Sequence, residues 1–464
     1  MKTPVTVAML AACCLHAAAA IAATADDERA EARQMLVDAV AFRTSTGLGQ
    51  VPAMAAYLAG KLEGAGFAAA DIHILPLGET ASFVARYRGD GSGGRPIMLT
   101  AHMDVVTANA EEWERDPFTL IEENGYLFGR GAADIKTDLI AIVATFMKLK
   151  RAGFVPTRDL VIAFTGDEET DQATARDLVD NHRALIDAEF ALNGDGGGGV
   201  LDEATGDGHI YALQGAEKSY ATFAFTARNP GGHSSAPRVD NAIYDLADAL
   251  IKLRAHRFPV MWNDWTIASF KATGAVLSGP LGDAMRRFAA DPRDVEAAET
   301  LAGEPGFVGR TRTTCVATML SGGHAENALP QTATATVNCR IFPGTTTESV
   351  RDELQRVVGE RVSVTLAGRA FDSVASPLRE DVLNAVTMAV HASYPNAAIV
   401  PDQASYYTDG SIFRAAGIPT YGVSGLFQKQ TESFSHGLNE RVSVMAFDNT
   451  LTHWHTLITT IAGR

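Results

Sequence analysis

The sequence predicts an α/β protein in which a domain built on a mostly parallel sheet is interrupted by an inserted α+β domain. Two patterns support this fold class. Before about residue 200, and again after about residue 372, short runs that are apolar throughout alternate with helical segments, as expected for a parallel sheet with helices on both faces. Between these regions, apolar and polar residues alternate singly, which is typical of half-buried antiparallel strands.

The elements of the first domain follow from the spacing of its apolar residues. Continuous apolar runs that are too short for helices predict buried strands at residues 97–101, 160–164, 190–192 and 420–423. Apolar residues at helical spacing predict helices at residues 26–42, 53–63, 138–151 and 382–394. The strands and helices therefore alternate along the chain, which favours parallel strand pairing.

The inserted domain is predicted to contain four strands and two helices. Its predicted strands are residues 220–227, 313–319, 333–341 and 362–366, and its predicted helices are residues 241–254 and 347–358. Residues 258–310, which include Trp262 and Trp265, have no clear periodicity; they form either an additional covering element or a helical elaboration. We predict domains at residues 26–214 with 367–464, and at 215–366.

Composition and charge exclude some classes of function. The chain has 464 residues, of which 46% are hydrophobic and 20% charged, as in ordinary globular proteins. Its formal net charge is −16. Nucleic-acid phosphates would be repelled by such a chain, and a polybasic attachment to a membrane is equally disfavoured.

The first 25 residues have the features of a signal peptide. Lys2 is followed by an apolar, alanine-rich stretch, and Ala23-Thr24-Ala25 fits a small-x-small cleavage site. This predicts export across an inner membrane, and the alanine-rich leader favours the bacterial periplasm. Two alternatives stay open: the stretch is an uncleaved anchor, or the protein is a lipoprotein, because residues 10–13 resemble a lipoprotein cleavage box.

Cleavage after Ala25 would leave two cysteines. Cys315 and Cys339 lie in predicted strands on either side of a loop near residue 327. Cross-strand neighbours in an oxidising compartment could form a disulfide, and two buried free thiols are equally compatible with the sequence.

Acidic and histidine side chains follow the predicted strands or a glycine turn. Parallel sheets bind ligands at the carboxyl ends of their strands. Histidine is the commonest metal ligand, and a nearby carboxylate orients its ring. The segments are His102-Met103-Asp104 after the first strand, the glycine turn at residues 129–134 that ends in Asp134, Glu168-Glu169 after the second strand, Asp195 after the third, and His436 near the C-terminus.

Taken one at a time, these segments have purely structural explanations. The triplet around His102 is compatible with a capped turn, Asp134 with a helix cap, and residues 167–169 with a solvated acidic loop. In an extended backbone, Glu168 and Glu169 would point to opposite sides. One carboxylate could then bind a metal ion while its neighbour faces a substrate as a general base.

Taken together, the order, spacing and flanking residues of these segments resemble a known enzyme family. The flanking residues include Trp113, the Asp116-Pro117-Phe118 run and Asp409-Gly410-Ser411. The family is that of the co-catalytic dinuclear zinc peptidases, which includes glutamate carboxypeptidase, carboxypeptidase S, bacterial dipeptidases, succinyl-diaminopimelate desuccinylase and aminoacylase. The resemblance covers nearly the whole chain after the leader. It implies that the α/β domain is the catalytic zinc-peptidase domain and that the inserted domain is a lid and dimerisation domain.

The resemblance also implies a metal centre with two zinc ions per chain, which cobalt or manganese could replace. In this family's pattern, His102 and Asp195 would ligate one ion, Glu169 and His436 would ligate the second, and Asp134 would bridge the two.

Further roles are implied for residues around the metal centre. Glu168 would be the general base, Asp104 would orient His102, and His233 of the lid would stabilise the oxyanion. Asn327 and Arg340 would bind the carboxylate of the substrate, for which the planar fork of an arginine is well suited.

The expected activity is hydrolysis of a peptide or amide bond next to a free carboxylate, as in a carboxypeptidase or dipeptidase. One alternative keeps the metal centre and changes the substrate to an N-acyl amino acid. Another is an inactive homologue that only binds its ligand. The expected partners are a small peptide or an N-acyl amino acid, with no nucleic acid, and the lid allows a homodimer.

Overall fold

The computed structural model describes residues 26–432 and 434–463, so the predicted signal peptide lies outside the described residues. The strands, in chain order, are β1 (Ile72–Leu77), β2 (Thr80–Tyr87), β3 (Ile97–His102), β4 (Ile121–Glu123), β5 (Tyr126–Phe128), β6 (Leu160–Thr165), β7 (Phe190–Asn193), β8 (Gly198–Leu201), β9 (Gly208–Glu217), β10 (Ser219–Arg228), β11 (Gly232–His233), β12 (Thr314–Gly322), β13 (Ala328–Leu329), β14 (Thr332–Ile341), β15 (Val362–Leu366), β16 (Ala398–Ala404), β17 (Thr420–Gly422), β18 (Phe427–Gln428) and β19 (Arg441–Ser443). The helices are α1 (residues 26–41), α2 (Val51–Gly64), α3 (Thr137–Arg151), α4 (Ala173–Asp180), α5 (Arg183–Ile186), α6 (Ala242–Ala255), α7 (Asp264–Val276), α8 (Gly279–Ala290), α9 (Val295–Ala302), α10 (Pro305–Val308), α11 (Thr347–Val358), α12 (Glu380–His391), α13 (Gly410–Ala415) and α14 (Val444–Ala462).

The chain forms two compact units. The first unit extends to His209 and also includes Asp381–Ala397 and the residues from Ser424 onward, and the second unit comprises Ile210–Glu380 and Ala398–Val423. The predicted domain boundaries assigned the residues of β16 to the first domain. In the structure, β16 pairs with β9 in parallel, and this pairing places it in the second unit. The division into a catalytic domain and a lid itself stays a prediction.

The first unit contains five neighbouring strands of a sheet, in the order β1-β2-β6-β3-β7. Strand β3 pairs in parallel with β6 on one side and with β7 on the other, whereas β2 pairs with β6 in the antiparallel sense. All residues of β3 and β6 are buried, as expected for strands covered on both faces. The predicted α/β fold class is therefore confirmed, and the carboxyl ends of three neighbouring strands lie at one edge of this sheet.

Asp138 joins two helices of the first unit. Its fully buried carboxylate accepts hydrogen bonds from Trp454 Nε1 in α14 (2.6 Å), Ser424 Oγ (2.8 Å) and Gly425 N (2.8 Å). Burial raises the pKa of Asp138 to about 6, and these hydrogen bonds act in the opposite direction. The contacts fix the start of α3, the helix that follows the glycine turn.

The second unit contains an antiparallel sheet in the order β12-β14-β10-β15. Side chains on one face of β14 are buried in alternation, and helices α6 and α11 pack over that face. The core between them consists of small, branched and aromatic apolar residues from both layers, including Phe223, Phe225, Leu246, Val337 and Leu354. The predicted antiparallel α+β unit is thus confirmed.

Strand β12 lies at the edge of this sheet. Val316, Met319 and Leu320 are exposed by 61%, 69% and 69%. A disulfide between Cys315 and Cys339 joins β12 to β14. Of the two alternatives for these cysteines, the structure therefore shows the disulfide.

The segment at residues 258–310 is a helical elaboration of the second unit. Helices α7 to α10 enclose an apolar core of their own, formed by Phe270, Ala284, Met285, Phe288, Ala297, Ala298 and Leu301. Helix α7 packs against β16, and the buried Trp265 donates a hydrogen bond from Nε1 to the carbonyl of Ser376 (2.6 Å). Within residues 26–432 and 434–463, no helix combines the length and the apolarity that crossing a membrane requires.

Candidate metal centre

The predicted ligands converge in the first unit, at the edge formed by the carboxyl ends of parallel strands. His102 is the last residue of β3, Glu169 follows β6, and Asp195 follows β7. Asp134 lies just before α3 and His436 lies in the loop before β19. Because β6, β3 and β7 are neighbours in the sheet, side chains that follow them meet at one edge, as the sequence predicted.

The ligand atoms form two groups that share Asp134. In the first group, His102, Asp134 and Asp195 have ligand atoms within 4.8 Å of one another, and in the second group Asp134, Glu169 and His436 do. His102 Nε2 lies 3.1 Å from Asp134 Oδ1, whereas His436 Nε2 lies 3.2 Å from Asp134 Oδ2 and 3.0 Å from Glu169 Oε1. Each oxygen of Asp134 thus faces a different group.

This donor set fits two divalent cations. Each group combines one imidazole with carboxylate oxygens, a mixture that suits zinc and related transition metals. A carboxylate shared by the groups would bridge the two ions. All five residues lie in the first unit, so the candidate metal centre is contained in one compact body.

Asp104 holds the centre through both its backbone and its side chain. The Nδ1–H of His102 donates to the backbone carbonyl of Asp104 at 3.0 Å, and the carboxylate Oδ1 is farther away, at 3.5 Å. The carboxylate accepts hydrogen bonds from the backbone N–H groups of Glu168 (3.1 Å) and Glu169 (3.0 Å). The ring of His102 is therefore oriented mainly by the carbonyl, and the carboxylate fixes the segment that carries the two glutamates.

The predicted conformation of this glutamate segment was wrong. Residues 168–171 form a turn after β6, not an extended stretch. The two side chains nevertheless have different partners: Glu168 Oε1 accepts a hydrogen bond from Gln172 Nε2 (3.1 Å), and Glu169 contacts His436. The turn is closed by the N–H groups of Thr170 and Gln172, which donate to the carbonyl of Asp167 at 3.2 and 2.8 Å, and the carboxylate of Asp104 holds its first two N–H groups.

The glycine turn before α3 requires glycine at residue 131. Gly131 has a φ of +84°, in the left-handed region, and a Cβ there would lie 2.6 Å from Val105 Cγ1. After this turn the backbone departs from helical geometry at Asp134 and Ile135. The carboxylate of Asp134 is thus presented by irregular backbone between a tight turn and a regular helix.

The carboxylates of the centre strongly favour positive charge on the histidines. Burial lowers the pKa of His102, but hydrogen bonds with Asp104 and Asp134 outweigh burial and hold it well above its usual value. Hydrogen bonds with Asp134 and Glu169 raise the pKa of His436 to about 10. Burial acts to raise the pKa of Asp134, yet the two histidines more than offset this and keep it below its usual value.

Metal binding to protein stripped with a chelator is expected to release protons. His436 holds a proton below its pKa of about 10, and a metal ion binds only the neutral imidazole. Raising the pH from about 7 to about 9 should therefore increase the apparent affinity for zinc. A pH indicator in weak buffer measures the released protons, and competition with a coloured chelator measures the affinity. Equal affinity at both pH values, without proton release, would contradict this prediction.

Two buried charged residues for which the sequence predicted no role support the Asp134 segment. Arg130 and Glu440 are exposed by 3% and 0%, and Arg130 Nη1 donates to Glu440 Oε2 at 2.6 Å. Burial and the charge of Asp134 raise the pKa of Glu440, opposed by the Gly131 N–H group and Arg130. The only sequence signal for them is their position within segments that also contain predicted ligands.

Lys136 connects the same segment to the first helix. Its fully buried Nζ donates to the carbonyls of Ala39 (2.8 Å) and Phe42 (3.1 Å), at the end of α1. Burial lowers the pKa of Lys136 to about 7, and Glu440 and Asp104 partly counteract this effect. These bonds satisfy carbonyls that a helix end leaves without a helical partner.

The predicted substrate-binding residues lie in the second unit. His233 in β11 pairs with Ala328 in β13, and the backbone N–H of Ser234 donates to the carbonyl of Asn327 (3.0 Å), so His233 and Asn327 are neighbours. Arg340 lies on β14 with its guanidinium over the ring of Tyr220, 5.0 Å from the centroid. Burial lowers the pKa of Arg340.

The chain is similar to one protein family and to individual proteins over most of its length. The family model for peptidase family M20/M25/M40 matches residues 98–460. An N-fatty-acyl-amino acid synthase/hydrolase of Xenopus tropicalis is 30% identical over 376 residues, which cover 79% of this chain and 72% of the relative. A probable carboxypeptidase S-like protein of Dictyostelium discoideum is 26% identical, with 81% of this chain and 74% of the relative covered.

Solved structures show the same fold. A metallo-carboxypeptidase of the M20 family from Sulfolobus solfataricus superposes with a TM-score of 0.68 at 17% identity, covering 93% of this chain and 99% of that structure. Human carnosine dipeptidase 1 gives a TM-score of 0.63 at 15% identity, covering 95% and 98%.

Proposed function

Because the chain belongs to peptidase family M20/M25/M40, we propose that it uses the two ligand groups to hydrolyse an amide bond next to a free carboxylate. The observation that carries the proposal is the sharing of Asp134 between two groups of ligand atoms. We infer that both groups bind zinc, since imidazole and carboxylate donors suit it, and that cobalt or manganese can replace it.

The chain's own residues supply proton transfer and orientation. Two divalent ions held by these ligand groups would lower the pKa of a bound water from about 15.7 toward about 7 and would polarise the scissile carbonyl. Glu168 lies outside both ligand groups, in the turn directly before Glu169, and acts as the general base that takes a proton from the water. The same carboxyl then donates this proton to the leaving amine.

His233 is suited to stabilising the oxyanion. The backbone N–H of Ser235 donates to His233 Nδ1 at 3.1 Å, so Nδ1 is an acceptor and the neutral ring carries its proton on Nε2. The Nε2–H group can therefore donate a hydrogen bond to an oxyanion. Arg340 and Asn327 bind the substrate's free carboxylate, for which the arginine fork is a good geometric match.

The main substrate class is a dipeptide or the C-terminal residue of a short peptide. The second candidate is an N-acyl amino acid, which is favoured by the similarity to the N-fatty-acyl-amino acid synthase/hydrolase of Xenopus tropicalis. Both contain an amide nitrogen attached to an amino acid with a free carboxylate, so the same centre would serve either.

Comparing a dipeptide, its N-acylated counterpart and its C-terminal amide would test the proposal. We expect amidation to lower kcat/KM at least about 100-fold, because Arg340 loses its charged partner. The better of the two acids identifies the substrate class. Equal hydrolysis of the free acid and the amide would contradict the carboxylate requirement.

We also propose a homodimer through the edge of the second unit. The apolar side chains of β12 and the exposed Tyr244 of α6 (63%) form a surface typical of an interface between copies. Light scattering should give twice the monomer mass for the wild type. Met319→Glu should lower the measured mass toward that of a monomer, whereas Val295→Glu, on the exposed surface of α9, should leave it unchanged. A monomeric wild-type protein would exclude the dimer.

For the cellular location, we propose export and cleavage after Ala25, with the mature enzyme in the periplasm. The leader composition supports this location, and the disulfide between Cys315 and Cys339 is compatible with an oxidising compartment. Mass spectrometry of the exported protein should find its N-terminus at Asp26. A lipid-modified N-terminus at Cys13, or an intact leader, would overturn the proposal.

A further inference from the structure

Glu440 organises the backbone around Asp134. Its Oε1 accepts hydrogen bonds from the N–H groups of Ala133 (2.8 Å) and Asp134 (3.0 Å), and its Oε2 accepts from Gly131 N–H (3.0 Å) and from Arg130 Nη1 (2.6 Å). Each oxygen therefore has two donors, which matches the capacity of a carboxylate. The glycine turn is held around one buried anion, and the position of Asp134 depends on it.

Arg130 connects that turn to the loop of His436. Its Nη2 donates to the backbone carbonyls of Gly437 (3.1 Å) and His436 (3.4 Å), while Nη1 bonds to Glu440. The guanidinium lies over the ring of Trp113, 5.1 Å from its centroid. His436 itself has a φ of +63°, a left-handed conformation that is unfavourable for a non-glycine residue. The bonds from Arg130 help to keep His436 in this conformation.

We infer that Arg130 and Glu440 are positioning residues that set the spacing of the two ligand groups. Glu440 acts on Asp134, which belongs to both groups, whereas the Nη2 contacts of Arg130 act on His436, which belongs only to the second group. The two residues therefore have different expected effects on the two metal ions. This inference rests on the proposed function, since it requires that both groups bind metal.

Arg130→Lys separates positioning from general destabilisation. A lysine keeps a positive charge beside Glu440, but its single ammonium group cannot make the forked contacts to the His436 and Gly437 carbonyls. We expect the affinity for one metal ion to fall about 10- to 100-fold while the other ion is bound as in the wild type. In Glu440→Gln, an amide NH₂ group would face backbone donors, so the affinities for both ions should fall.

The experiment measures metal bound per chain against a competing chelator, together with the absorption spectrum of the cobalt-loaded protein. Circular dichroism verifies folding. Arg151→Lys is the matched control, because Arg151 also makes a forked contact with a glutamate, Glu31, on the surface. This control should bind both ions like the wild type.

The outcomes distinguish the inference from the proposed function. A wild-type protein that binds no metal would refute the proposed function. Suppose that the wild type binds two ions and that the Arg130→Lys variant is folded. If this variant binds both ions as tightly as the wild type, or loses both equally, the positioning role is wrong and the proposed function still stands. Selective loss of one ion supports it, and this decision does not depend on whether Glu440→Gln folds.

Discussion

Replacement of Glu168 by glutamine is expected to lower kcat about 1,000-fold while both metal ions stay bound. Glu168 belongs to neither ligand group, so metal affinity should not depend on its charge. Glutamine has nearly the same shape, and its amide oxygen can still accept the hydrogen bond that Gln172 Nε2 donates at 3.1 Å. It cannot take a proton from water, however, and proton transfer stops.

Steady-state kinetics and metal analysis of the same preparation would measure both effects. Glu169→Gln is the matched control, since it makes the same change at the neighbouring residue, whose carboxylate contacts His436 at 3.0 Å. That variant should lose affinity for one ion. If Glu168→Gln keeps more than a tenth of wild-type turnover, or loses its metal, Glu168 is not the general base.

Asp134→Ala is expected to abolish activity, by at least about 10,000-fold, because both ions lose a ligand at once. His102 Nε2 and His436 Nε2 face opposite oxygens of this carboxylate, at 3.1 and 3.2 Å. Its removal leaves each group with only two of its three side chains.

Asp195→Ala provides the comparison, because Asp195 belongs to the first group alone. Equilibrium dialysis should find weak binding of both ions in Asp134→Ala, and weak binding of one ion in Asp195→Ala. Two tightly bound ions in Asp134→Ala would show that the carboxylate does not bridge the groups.

The convergence of the candidate ligands could be predicted from sequence because each follows a local signal. His102 ends a strand that is apolar throughout, and Asp134 follows a glycine turn. Parallel pairing then brings residues from distant segments to one edge of the sheet, so placing the strands also places the ligands. The edge strand β12 and the helices α6 and α11 were predicted for the same reason, from clear periodicity.

The supporting contacts could not be predicted in this way. Glu440 accepts hydrogen bonds from backbone N–H groups about 300 residues earlier in the chain, and backbone donors have no sequence signature. The turn at Glu168 is also held by the bond from its N–H group to Asp104, again a contact between distant segments. Strand β16 was missed because Pro401 and Asp402 interrupt its apolar residues, and its partner β9 is nearly 200 residues earlier in the chain.

The disulfide at the edge of the second unit has a consequence for the unfolded chain. Cys315 and Cys339 are separated by 24 residues, and closing a loop of that length removes conformational entropy worth about 3–4 kcal/mol from the unfolded ensemble. A chain synthesised in a reducing compartment folds without this contribution, and no covalent bond then holds β12 against β14. The free energy of unfolding of the second unit thus depends on where the protein is produced, and recombinant production should include an oxidising step.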